Sequence, residues 1–178
     1  MALRPLHLLG SPMLRTRAAE IGTVTDAVRR LVDDLFDTMR AAQGIGLAAN
    51  QVGATERVAV VDSGEGEPIV LINPVIVERE GTERAEEGCL SIPDLYGDVD
   101  RATKIVVETT TPDGGRITVP ANALTARAVQ HEIDHLDGIL FIDHLSLLRR
   151  RMLLKKWRKA RAGEHGYLKE VAPPGAEV

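Results

Sequence analysis

The chain has 178 residues, of which 44% are hydrophobic and 27% charged, values ordinary for one globular domain with a core. Its net charge of −4 (22 basic against 26 acidic residues) excludes binding of nucleic acid through overall charge. One cysteine excludes an internal disulfide, and no apolar stretch reaches the ~20 residues of a membrane span. We expect a soluble cytoplasmic protein with one domain over residues 1–162 and a disordered tail over residues 163–178.

The first predicted element is an amphipathic helix that ends near residue 43. Thr23 or Thr25 is a suitable N-cap, and Gly44 is a natural residue to stop the helix. Hydrophobic residues recur on one face at helical spacing, namely Val28, Leu31, Val32, Leu35, Phe36 and Met39. This face is expected to pack against the core.

The middle of the chain is rich in β-branched residues and turns. Residues 57–62 and 69–78 are predicted strands, and Pro74 indicates an edge or a bulge. Residues 103–111 and 116–119 predict a hairpin around the turn sequence Pro-Asp-Gly-Gly. Antiparallel sheets are therefore expected.

Two more helices are predicted near the C-terminus. Residues 123–137 form one, with Asn122 as N-cap, followed by a short strand at residues 140–142. A last helix covers residues 145–162, and its predicted apolar stripe is Leu145, Leu148, Met152, Leu153 and Trp157. Its other face is strongly basic, with Arg149, Arg150, Arg151, Lys155, Lys156, Arg158, Lys159 and Arg161. Such a face is either solvated or suited to RNA phosphates.

The sequence QHEIDHLDG on the helix over 123–137 predicts a metal site. His131 and His135 are four residues apart and share one helix face. Glu132 follows the first histidine, where it can move protons without binding the ion, as in H-E-x-x-H hydrolases. The less favoured alternative is two surface histidines on an amphipathic helix. We therefore predict an α+β fold with antiparallel sheets packed around a central metal-binding helix, an N-terminal helix and a basic C-terminal helix.

A catalytic site of this kind needs a third protein ligand. A metzincin site would need histidine where Phe141 stands, and Asp143 is too near to fold back. Glu164 and Glu170 lie in the polar tail. The remaining candidate is Cys89, whose alternative role is that of a small buried hydrophobe.

Three sequence blocks now resemble the peptide deformylase family, over about residues 3–160. The first, GIGLAANQ at residues 44–51, matches the family pattern GxGLAAxQ. The second is EGCLS at residues 87–91, and the third is HEIDH at residues 131–135. All three blocks are complete and stand in the family's order, so together they are highly specific.

The resemblance implies a hydrolase that removes the formyl group from the N-terminal formyl-methionine of new polypeptides. It implies metal ligation by Cys89, His131 and His135. The implied catalytic groups are Glu132, the Gln51 side chain and the Leu90 backbone N–H. The implied substrate-binding residues are Ile45, Gly46, Gly88 and Leu124, with the His131 ring beside the methionine. Iron (Fe²⁺) is expected in the cell, while Zn²⁺, Ni²⁺ or Co²⁺ also suit these ligands.

The resemblance also bears on partners. The nascent polypeptide is the expected partner, and the basic C-terminal helix is expected to contact the ribosome; no membrane or DNA partner is expected. Many relatives have an arginine that contacts the substrate backbone where this chain has Tyr96. The contact with downstream peptide residues is therefore expected to differ.

Two rival interpretations make different predictions. An H-E-x-x-H endopeptidase would use a later glutamate or histidine as third ligand, so Cys89 would be dispensable. A zinc-stabilised binding module would have four closed ligands, with His144 as the fourth, and would not need Glu132.

Overall fold

The computed structural model describes residues 2–176. In this range the chain forms three α-helices, α1 (Asp26–Ala41), α2 (Ala123–Leu136) and α3 (Leu147–Ala160). The same range contains ten strands: β1 (Leu6–His7), β2 (Gly46–Ala48), β3 (Val58–Val61), β4 (Ile69–Ile72), β5 (Val75–Glu80), β6 (Glu83–Cys89), β7 (Ile92–Arg101), β8 (Lys104–Thr110), β9 (Arg116–Asn122) and β10 (Leu168–Lys169). None of the helices in this range is long and apolar enough to cross a membrane.

The strands form small antiparallel sheets. One has the order β2-β3-β4 and another the order β5-β8-β9, while β6 pairs with β7 and β1 with β10. The predicted hairpin is confirmed, since β8 and β9 pair from Lys104 opposite Asn122 to Thr110 opposite Arg116. Helices and antiparallel sheets together confirm the predicted α+β class.

Helix α1 has the face that its sequence predicts. The Thr25 hydroxyl caps its N-terminus by accepting from the Val28 N–H at 3.4 Å. Val28, Leu31, Val32, Leu35 and Met39 are buried in one core cluster, with Phe36 partly buried against it. The cluster also contains residues of β2, β3 and β4, so α1 covers one face of this sheet.

Helix α2 is central. Ala126, Ala128, Val129 and Leu136 share a second core cluster with strands of both three-stranded sheets. The burial of these small and branched side chains fixes the rotation of α2, and thereby the direction of its remaining face. A third cluster, around Phe141, joins the segment after α2 to β7 and α3.

Several predicted elements are wrong in type or extent. The single strand predicted at residues 69–78 is two strands in different sheets, because Asn73 between them has a φ of +47°. The strand predicted at residues 140–142 is instead the start of a 3-10 helix over Phe141–His144. The β6–β7 hairpin, which carries Cys89, was not predicted as strands.

Two helix ends also differ from expectation. Asn122 occupies the N-cap position of α2 but makes no side-chain capping bond. Helix α3 begins at Leu147, where the Ser146 hydroxyl caps the Arg149 N–H at 3.3 Å. Its predicted apolar stripe is wrong at Leu148 and Met152, which are 69% and 56% exposed, because only one side of α3 lies on the core.

The prediction of disorder after residue 162 is wrong for part of this segment. Strand β10 pairs with β1, with Leu6 opposite Lys169 and His7 opposite Leu168. Val171 packs against the first core cluster. Pairing with β1 thus orders a segment whose composition suggests disorder; residues 177 and 178 lie outside the described range.

The end of α2 generates a test of the fold. Gly138 has a φ of +74°, and a Cβ there would lie 2.8 Å from the backbone oxygen of Arg15. We expect Gly138→Ala to lower the free energy of unfolding by about 3 kcal/mol or more, since backbone strain of about 1–2 kcal/mol adds to a backbone clash. Urea unfolding measures this change.

Gly163→Ala is the matched control. Gly163 has a similar φ of +82°, but a Cβ there would have no neighbour within 4 Å. Gly163→Ala should therefore lower the free energy of unfolding only by the backbone strain, about 1–2 kcal/mol. Equal losses in the two variants would contradict the predicted role of the Arg15 contact.

Candidate metal centre

Helix α2 and strand β6 bring three metal-binding side chains together. Each of Cys89, His131 and His135 offers one ligand atom, and these atoms lie within 4.8 Å of one another. The Cys89 Sγ is 3.2 Å from the His135 Nε2. Tetrahedral bonds to zinc would separate a sulfur and a nitrogen ligand by about 3.6 Å, so the geometry fits a divalent ion.

The protonation of the histidines also suits a cation. Burial lowers the pKa of His135 well below its usual value, which keeps the imidazole neutral and able to bind a metal. Burial alone would lower the pKa of His131, but hydrogen bonds with Cys89 and Glu87 outweigh it and raise the pKa. A metal ion at His131 would therefore compete with a proton for the ring.

Glu87 orients His131 and lies at the centre of a buried charge network. Its Oε1 is 2.9 Å from the His131 Nδ1, which leaves Nε2 for a metal. Arg101 binds both carboxylate oxygens, at 2.8 and 2.9 Å, and Arg127 donates to Oε2 at 2.7 Å. Burial would raise the pKa of Glu87, but its partners, chiefly Arg101 and His131, hold it well below its ordinary value.

This network contains a buried ion pair and extends to His144. The paired side chains of Arg101 and Glu87 are both only 5% exposed. Arg101 also donates to Asp134 at 2.6 Å. His144, the fourth ligand of the rival zinc module, instead places its Nε2 2.8 Å from Asp134.

Glu132 lies beside the ligand atoms and is almost fully buried. Its Oε2 has no hydrogen-bond partner among residues 2–176. Burial is the main reason that the pKa of Glu132 is raised, to about 7, which suits a group that takes and returns protons. A Cβ at Gly46 would come too close to Oε1, so glycine at position 46 lets β2 approach the carboxylate.

The Gln51 side chain is fixed toward the sulfur. Its Oε1 accepts from the Ala48 N–H at 2.9 Å, which sets the direction of the amide. Its Nε2 donates to the Ser91 Oγ at 3.1 Å and is 3.6 Å from the Cys89 Sγ. The neighbouring Asn50 donates to the His135 backbone carbonyl and so braces α2 from the same segment.

The candidate substrate residues line one cavity with the metal ligands. Ile45, Gly46, Gly88 and Leu124 all border it, as do Gln51, Cys89, Leu90, His131 and Glu132. The Ile45 and Leu124 side chains are each 40% exposed. The Tyr96 ring lies over Gly88, where a Cβ would be 2.8 Å from it.

Sequence reasoning missed part of the supporting shell. Arg127, Asp134 and Ser91 were not singled out, although they hold Glu87, Arg101 and Gln51 in place. Arg127 had a detectable signal, because it lies four residues before His131 and so shares the ligand face of α2.

Replacing Glu87 tests the network. We expect Glu87→Gln to lower stability at neutral pH by about 3–5 kcal/mol, because two buried arginines lose their counter-charge. Metal affinity should fall by about 10–100-fold, because His131 loses its orienting partner. Unfolding curves and a metal-competition titration measure the two effects.

The stability difference should depend on pH. The lowered pKa means that the charged form of Glu87 stabilises the fold above pH ~4.5 and that this is lost as pH falls through the folded-state pKa. The gap between wild type and Glu87→Gln should therefore narrow in acid. Glu86→Gln, on an exposed neighbour, is the control. An equal loss in that variant would refute the role of Glu87.

Comparison with known proteins identifies a family and close relatives in sequence. The family model described as polypeptide deformylase matches residues 3–151. The peptide deformylase of Alkalilimnicola ehrlichii is 48% identical over 162 residues, covering 89% of this chain and 91% of the relative. That of Agrobacterium fabrum is 47% identical over 165 residues, covering 90% of this chain and 97% of the relative.

Solved structures agree as well. A peptide deformylase from Legionella pneumophila superposes with a TM-score of 0.85 at 40% identity, covering 90% of this chain and 96% of that one. The Ehrlichia chaffeensis peptide deformylase in complex with actinonin superposes with a TM-score of 0.85 at 34% identity. The match covers 90% of this chain and 98% of that one. With sequence and fold in agreement, the chain belongs to the peptide deformylase family, the metal-dependent enzymes that remove the N-formyl group from nascent polypeptides.

Proposed function

We propose that Cys89, His131 and His135 hold one divalent metal ion in this chain and that Glu132 moves the protons of deformylation. The reaction hydrolyses the formyl amide to formate and a free N-terminal amine. The observation that carries the proposal is the buried Glu132 carboxyl, with an unpartnered oxygen, beside three ligand atoms within 4.8 Å of one another.

The donor set limits the choice of metal. One thiolate and two imidazoles suit Zn²⁺, Fe²⁺, Co²⁺ or Ni²⁺, and Fe²⁺ is our prediction for the cell, based on the family resemblance. When bound, the ion supplies Lewis-acid chemistry that activates water and polarises a carbonyl oxygen. A cytoplasmic location likewise stays a prediction from the sequence.

Glu132 acts as base and then as acid. Its carboxylate accepts a proton from the water that attacks the formyl carbon, and the same group then protonates the departing amine. A pKa near 7 makes both directions accessible at neutral pH. Burial keeps bulk water from competing for the carboxylate.

Gln51 and Leu90 are proposed to stabilise the developing oxyanion. The Gln51 amide is held by Ala48 and Ser91 and so needs no reorganisation during the reaction. The Leu90 backbone N–H immediately follows Cys89 in the chain. Donors of this kind typically contribute about 10²–10³ in rate.

The substrate lies in the cavity as an extended chain in this proposal. The backbone at Gly44–Gly46 pairs with the peptide as an added strand, while Gly88 permits close approach from the other side. Ile45, Leu124 and the His131 ring form an apolar contact for the methionine side chain. All of these residues line the one cavity.

Helix α3 is the proposed contact to the ribosome. Its exposed surface combines basic residues such as Arg151 and Lys155 with the exposed Leu148 and Met152. In a chain of net charge −4 this is a local excess of positive charge. RNA phosphates suit such a face, and the two apolar side chains suit a protein or base surface.

The chemistry is tested with three proteins purified without oxygen. Wild type should contain about one metal per chain and release formate from formyl-Met-Ala-Ser. Glu132→Gln should keep the metal but lose about 10²–10⁴ in rate, since it cannot move protons. Cys89→Ala should lose the metal and with it the activity.

Other outcomes separate the alternatives. A Cys89→Ala variant that keeps its metal would contradict the proposed ligand set and favour a later ligand. Formate release by Glu132→Gln at the wild-type rate would show that Glu132 is not the base. Metal analysis of the wild-type preparation decides between iron and the other ions.

Charge reversal tests the ribosome contact. Arg151→Glu with Lys155→Glu should weaken co-sedimentation with ribosomes by about tenfold or more near 0.1 M salt, because phosphate contacts are lost. Arg30→Glu with Arg79→Glu is the control, as both residues are exposed and lie outside α3. Hydrolysis of formyl-Met-Ala-Ser should be unchanged in both variants. Equal binding by the two variants would contradict the contact.

A further inference from the structure

The C-terminal segment, residues 167–176, is attached to the domain at several points. The Leu8 N–H donates to the Tyr167 carbonyl at 2.6 Å, and β10 continues this pairing along β1. The Tyr167 ring lies against Gly10, where a Cβ would be 2.6 Å from it. Val171 is half-buried against the first core cluster. The start of the segment is therefore fixed in position.

Beyond this attachment the segment borders the catalytic cavity. Residues 169–176 line the same cavity of about 900 Å³ as Gln51, Cys89, His131 and Glu132. Pockets for drug-sized ligands measure about 300–1,000 Å³, so the cavity has room for more than a formyl-methionyl group. The rest of that room is available to the residues that follow the methionine.

We propose that residues 169–176 form a wall of the substrate cleft and contact polypeptide residues downstream of the formyl-methionine. The inference rests on the proposed function. Pro173 and Pro174 have no backbone N–H and cannot donate to a strand ladder. The wall also carries the exposed side chains of Lys169 and Glu170, so its contacts with a polypeptide depend on charge.

The charges around the cavity predict which side chains it favours. The exposed charged residues that line it are Glu86, Asp94, Lys169 and Glu170, three carboxylates against one ammonium group. Glu87 and Arg127 also line it but are buried and paired with each other. A cationic side chain downstream of the methionine should therefore be preferred over an anionic one.

The test uses the full chain and peptides that differ in one charge. The value of kcat/KM is measured for five-residue formyl-Met peptides with Lys or Glu at position 3, 4 or 5. In wild type the Lys/Glu ratio should exceed one at one position or more. Glu170→Lys should lower that ratio by about 3–10-fold, as exposed ion pairs permit, and Lys169→Glu should raise it. Salt should reduce both effects.

Glu20→Lys is the matched control, because Glu20 is exposed and does not line the cavity. A wild-type ratio near one at all three positions would overturn the proposal, as would equal ratios in Glu170→Lys and Glu20→Lys. Turnover of formyl-Met-Ala-Ser by wild type reports separately on the proposed function. Its absence would overturn that function rather than the wall alone.

Discussion

The buried carboxylate of Glu87 joins the β6–β7 hairpin to helix α2. It binds Arg101 on β7 and both Arg127 and His131 on α2. Cys89 lies two residues further along the same strand, so this carboxylate fixes the separation of the sulfur from the histidines. Removing one member of such a network leaves another charge buried and unpaired. The contacts that hold the three ligand side chains together are therefore the same contacts that stabilise the fold.

Local patterns account for the elements that the sequence predicted well. Helix α1 has a cap and a strong 3.6-residue period, and the β8–β9 hairpin has β-branched strands around a clear turn. Strands β6 and β7 escaped detection because most of their side chains are charged or exposed, and their stability comes from pairing with each other. The C-terminal segment was missed for a related reason. Its contacts, the pairing of β10 with β1 and the packing of Val171 against the first core cluster, are tertiary, and its composition is that of a tail.

The residues of the site likewise fall into those that local motifs reveal and those that depend on tertiary contacts. The ligands and Glu132 follow from short motifs, since the spacing of His131 and His135 on a helix determines which way they point. The roles of Asp134, His144 and Ser91 depend on contacts between distant segments, and a single sequence contains no such information. Arg127 is intermediate, because helix periodicity places it beside His131 but does not reveal that its partner is Glu87.

The cleft combines a rigid floor with an adaptable rim. At the floor, an added Cβ at Gly46 would overlap the Glu132 carboxylate, so β2 and α2 lie in close contact there. At the rim, Ile45, Leu124 and Tyr96 are 40%, 40% and 60% exposed. Exposed contacts change affinity by small factors and exclude few partners. Under the proposed function, the closely packed floor carries out the reaction, and the exposed rim meets the methionine and the varied residues that follow it.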